Sequence, residues 1–99
     1  MTLEIQYLKM PASEALNEII TKKLEKLSNH YTWLIKAHVF IKEVNRKGDI
    51  NKCCKIELSC PGPKIFAKSI EDDYGKAVAN TVNDLKKQLK KRKQQFVRH

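Results

Sequence analysis

Between residues 33 and 70 apolar and polar side chains alternate through three successive segments, separated by two short breaks. WLIKAHVFIKEV (33–44) sets Ile35, Ala37, Val39 and Ile41 on one side and Lys36, His38, Phe40 and Lys42 on the other. INKCCKIELSC (50–60) groups Cys54, Ile56, Leu58 and Cys60, and KIFAKSI (64–70) sets Ile65 and Ala67 against Lys64, Phe66 and Lys68. A period of two belongs to strands with one buried face. NRKGD (45–49) and the Pro61-Gly62 turn, the latter of type II character, are turn chemistry, so the three strands form an antiparallel meander. One face of that sheet is continuously apolar and has to be covered.

Two amphipathic stretches can cover it. Ser13 is a good N-cap for a helix ending near Asn29, with Leu16, Ile19, Ile20, Leu24, Leu27 and Tyr31 on one side. Asp73 caps a second helix that runs to about Lys93, with Tyr74, Ala77, Val78, Val82, Leu85 and Leu89 at spacings of three and four. TLEIQY (2–7) alternates as a further strand before Pro11 interrupts. The order β-α-β-β-β-α makes a two-layer α+β domain, a four-stranded sheet, read as antiparallel, with two helices on one face. The other face would be wet, with Lys36, Lys42, Lys55, Lys64 and Lys68 around Phe40 and Phe66. Aromatics among lysines can stack bases, although cross-strand pairs that shield backbone are their commoner role. With no repeat or linker, the 99 residues fit one domain.

Catalytic chemistry is missing from the sequence. His30, His38 and His99 are far apart, and there is no phosphate-cradling glycine loop and no metalloprotease or serine-hydrolase motif. Glu71, Asp72 and Asp73 form the only acidic cluster, which capping at a helix start explains without a metal. Three cysteines, two of them adjacent, suit neither a disulfide framework nor a zinc site, and strand parity makes Cys54 and Cys60 core thiols and Cys53 a surface one. No enzyme activity, cofactor or metal is expected. No apolar run reaches the roughly 20 residues of a membrane span, and a cytoplasmic protein is expected.

Charge points instead to a partner. Residues 86–99 contain seven Lys and Arg and no acid, whereas the remaining 85 residues hold 13 Lys and Arg against 11 Asp and Glu. On a helical wheel Lys22, Lys23 and Lys26 share one flank of the first helix, while Glu14, Glu18 and Glu25 face outward. If the two helices pack side by side in the same direction, these lysines and those of residues 86–93 converge on one positive face. Polyanion binding accounts for that density better than the helix dipole does. Lysine outnumbers arginine and no base-reading motif is visible, which suits recognition of backbone and shape in folded RNA. A general structured-RNA module, a basic adaptor for an acidic protein and a small metal protein are the alternatives. Preference for one RNA partner, nuclease resistance of the complex and metal content would separate them.

Three stretches in register carry a family resemblance: T-K-K-L-E-K-L (Thr21–Leu27), the Pro61-Gly62 turn leading to I-F-A-K (Ile65–Lys68), and L-K-K-Q-L-K-K-R-K (Leu85–Lys93). Together they resemble the ribosome hibernation-promoting factors and ribosome-associated inhibitors over nearly the whole chain. The resemblance implies a fold similar to double-stranded RNA-binding domains. It also implies binding to ribosomal RNA of the small subunit, in the channel for messenger and transfer RNA, with translation blocked in stationary phase or stress. Contacts would come from Lys22, Lys23, Lys26, Lys86, Lys87, Lys90, Lys91 and Lys93, with Arg92 where the family pattern varies. Ala77-Val78-Ala79 departs from the family's Ala-Ile-Asp, and Gly75 sits in the first turn. The likeness is to the short form, without the extra domain linked to ribosome pairing, and a monomer is expected.

Overall fold

A computed structural model describes residues 1–97. The chain runs β1 (Thr2–Tyr7), α1 (Glu14–His30), β2 (Lys36–Arg46), β3 (Asp49–Ser59), β4 (Ile65–Glu71) and α2 (Tyr74–Val97). Arg98 and His99 lie outside the described residues.

The meander forms as the alternation predicts, with β2–β3 and β3–β4 antiparallel. Lys47 and Gly48 close the first hairpin, both with positive φ (51° and 83°), the left-handed pair that a tight two-residue turn requires. The expectation of a wholly antiparallel sheet is corrected at its edge. β1 lies beside β2 in parallel, pairing Leu3 with Ala37 and Ile5 with Val39, so the sheet is mixed with order β1-β2-β3-β4. Parallel neighbours need a crossover, and α1 supplies it by returning the chain to the end where β1 began.

Both helices cover one face. Leu16, Ile20, Leu24 and Leu27 of α1 and Val78, Val82, Leu85 and Leu89 of α2 close over Val39, Ile41, Ile56, Leu58, Ile65 and Ala67. Ser13 caps α1, its Oγ accepting from Leu16 N at 3.2 Å, and Asp73 Oδ2 accepts from Lys76 N at 3.1 Å at the start of α2. Thr81 is the one buried polar side chain among the described residues. Its hydroxyl lies 2.7 Å from Ala77 O and 3.1 Å from Cys54 O, tying α2 to β3.

Three positions depart from the pattern. Ile19 is exposed, since the buried stripe is centred on Leu16, Ile20, Leu24 and Leu27 and Ile19 falls beyond its edge. Ile35 is 59 % exposed. Its backbone joins the ladder, donating to Ser59 O and accepting from Thr2 N, but it precedes β2 at the end of the sheet, and Leu34 and Ala37 take the buried places around it. Cys53, expected at the surface, is 1 % exposed. It does face away from the helices, but Leu8, Phe40, Lys42 and Lys55 gather over it, and aliphatic lysine stems cover a small apolar side chain well.

Candidate nucleic-acid interface

Contacts along α2 fix its direction. Thr81 meets Cys54 of β3, Gln88 donates to Phe66 O at 2.9 Å, and Arg92 reaches Pro61 O before the start of β4. The helix therefore descends as β4 ascends. α1 descends against β1 in the same sense, Asn17 lying by Tyr7 at 2.7 Å, and Thr21 and Ser28 beside Leu3 and Met1. The two helices are parallel neighbours, and their second halves meet at one end of the molecule.

There they enclose a cleft of about 550 Å³, lined by Lys26, Leu27, His30 and Tyr31 from α1 and its end and by Lys86, Lys87 and Lys90 from α2. Local chemistry sets these positions. Leu24 and Leu27 turn inward on α1, leaving Lys26 on the flank facing α2, with His30 one turn further on. Leu85 and Leu89 anchor α2, so Lys86 and Lys90 stand one turn apart beside them. Four ammonium groups rim the cleft and no acidic residue lines it. The cations do not serve the end of the helix. As far as it is described, α2 continues to Val97 with no basic residue in the last described turn, and the dipole effect fades within one turn.

Of the other lysines singled out above, Lys22 and Lys23 lie on α1 and Lys91 and Lys93 on α2, and none of them lines the cleft. Arg92 is held differently. It falls three residues after Leu89 and seven after Leu85, on the buried stripe, and its Nη1 donates to Pro61 O at 3.0 Å with Cys60 Sγ at 3.4 Å. Gly62, at φ +93°, comes so close that a Cβ there would lie 3.0 Å from the same nitrogen. Arg92 clamps the β3–β4 turn.

Residue-type reasoning assigned Leu27 and Tyr31 to the core alone and gave His30 no place. In the fold, edge-to-face aromatic contacts run His30–Tyr31 (4.6 Å), Tyr31–Trp33 (5.7 Å) and Trp33–Phe96 (5.0 Å) from the cleft to the far end of α2. His30 at four residues from Lys26 was the one signal available in the sequence. Among the described residues no group of His, Cys, Asp and Glu is placed to hold a metal ion, and no helix is long and apolar enough to cross a membrane.

The fold and sequence have known counterparts. A family described as Sigma 54 modulation protein / S30EA ribosomal protein matches residues 3–96. A ribosomal subunit interface protein from Coxiella burnetii is similar at 26 % identity and a TM-score of 0.83, covering 94 % of this chain and 98 % of its own. The N-terminal domain of Thermus thermophilus Protein Y shares the fold at 19 % identity and a TM-score of 0.76, with 92 % and 98 % covered. No curated protein sequence matches.

Proposed function

This chain belongs to the Sigma 54 modulation protein / S30EA ribosomal protein family, and from that premise we propose that it is a ribosome-binding translation inhibitor. It binds ribosomal RNA of the small subunit in the channel that messenger and transfer RNA occupy, as a monomer in the cytoplasm, and idles ribosomes in stationary phase or stress. The observation that carries this reading is the convergence of Lys26 with Lys86, Lys87 and Lys90 on one acid-free cleft between parallel helices. A duplex presents phosphates on two strands flanking a groove, and ammonium groups drawn from two adjacent helices suit such a target. Lys22, Lys23, Lys91 and Lys93 extend the contact, and Arg92 contributes by holding the turn beside it. The similar protein from Coxiella burnetii is named for the ribosomal subunit interface, which supports the same partner class.

Competition tests the location. Small subunits carrying labelled transfer RNA on a short messenger should lose the label as this protein is added. Saturating binding with the transfer RNA fully retained would contradict the channel assignment.

A further inference from the structure

The sheet face turned away from the helices carries a second constellation made of other residues. Register sets Phe40 opposite Lys55 and Lys55 opposite Lys68, so two lysines stand directly across from each other on an exposed face. Like charges in that relation are destabilising. Lys55 has Glu57 Oε2 at 3.8 Å, while Lys42 and Lys68 have no ion-pair partner among the described residues. These three lysines and the rings of Phe40 and Phe66 line a depression of about 360 Å³ over Cys53, with no acid in its lining.

The aromatics there are not spent on the core. Phe66 is 61 % exposed and belongs to no core cluster. His38 stacks on Phe40 at 4.0 Å and 29°, and Lys55 Nζ lies 5.8 Å from the Phe40 ring centre, so that ring is held in place from both its own strand and the next. Lys68 follows Phe66 on the same side of β4, about 6.7 Å along the strand at the usual rise, a separation on the scale of one nucleotide.

We propose that this open sheet face is a second RNA-binding surface, which takes a single-stranded segment. An unpaired base stacks on Phe66, beside the His38–Phe40 stack, and Lys42, Lys55 and Lys68 hold the flanking phosphates. The exposed Phe66 ring distinguishes this occupant from an acidic peptide, which offers it no flat partner. It also distinguishes the occupant from a duplex, whose base faces are already stacked. The surface uses none of the cleft residues and does not depend on the cleft's assignment.

The test is fluorescence anisotropy with labelled oligouridine and, separately, a blunt RNA duplex. The full chain is compared with F66A, K68Q and a K87Q/K90Q double variant. Phe66 and Lys68 are exposed, so both sheet variants should fold, which circular dichroism verifies. F66A should weaken oligouridine binding about tenfold, the order expected for one lost base–aromatic stack, and K68Q severalfold with a shallower salt slope. Duplex binding should stay unchanged in both and fall in K87Q/K90Q. Amide resonances of Phe40, Lys55, Phe66 and Lys68 should shift on adding oligouridine. Unchanged oligouridine affinity in F66A and K68Q, equal loss in K87Q/K90Q, or displacement by an oligoglutamate peptide would each overturn the proposal.

Discussion

Replacing Lys26, Lys86, Lys87 and Lys90 together with glutamine should change the salt dependence of RNA binding by an amount that the cleft itself sets. All four side chains are exposed, so each substitution should move stability by no more than about 0.5 kcal/mol. Each lysine that neutralises one duplex phosphate adds about 0.9 to the slope of log affinity against log salt. Four such contacts contribute about 3.6, equivalent to roughly 150-fold in affinity over a fourfold rise in salt. The assay is a salt titration of binding to a structured small-subunit ribosomal RNA fragment. The quadruple variant should give a line shallower by about 3.6, approaching the wild-type line at high salt. The control removes the same charge at the opposite end of the sheet by changing Lys9, Arg46, Lys47 and Lys76, near the end of β1, the β2–β3 turn and the first turn of α2. Its slope should remain near the wild-type value. Parallel lines for wild type and cleft variant, or an equal flattening in the control, would refute a cleft-centred contact and leave only diffuse attraction to a basic protein.

Two further predictions concern the scaffold. Burial pushes the Cys54 thiol up to about 11 from 9.0, with the Thr81 hydrogen bond opposing the shift. A folded value above the unfolded one favours the neutral thiol. That contribution is therefore complete below about pH 9 and lost as pH rises through about 11, a loss on the order of 2 kcal/mol. Denaturant midpoints between those values should fall less steeply in C54A than in wild type, and identical curves would contradict the burial. At the β3–β4 turn, G62A should cost about 1–2 kcal/mol in the left-handed conformation and also push Arg92 from the Pro61 carbonyl. Melting curves of G62A, R92Q and the double variant should show a combined loss smaller than the two single losses added together. Strict additivity would mean that the two residues do not share one clamp.

What the sequence made legible was set by the range of each interaction. Strand parity is local, and it assigned the inward faces of β2, β3 and β4 correctly from Ala37 to Ala67, with the N-caps at Ser13 and Asp73. It placed Cys53 on the far face too, but burial there depends on what lies around it, and Phe40 and Lys42 come from β2 and Leu8 from the end of β1. The parallel pairing of β1 depends on where α1 delivers the chain, which alternation does not encode. The basic end of α2 was plain from charge count, and the flank of α1 from its wheel. That the two meet required a shared helix direction, a property of the whole topology that the strand order only suggested. Arg92 shows the reverse case. Its spacing from Leu85 and Leu89 put it on the buried stripe, yet counting it among the cations hid the hydrogen bond that it makes with the turn.

Sedimentation with separated ribosomal subunits, at low and moderate salt, tests ribosome binding through the cleft most directly. The wild-type protein should travel with the small subunit in preference to the large one and to unrelated structured RNA, and the quadruple cleft variant should remain in the supernatant at moderate salt. Equal binding to both subunits and to unrelated RNA, or undiminished small-subunit binding by the variant, would contradict it.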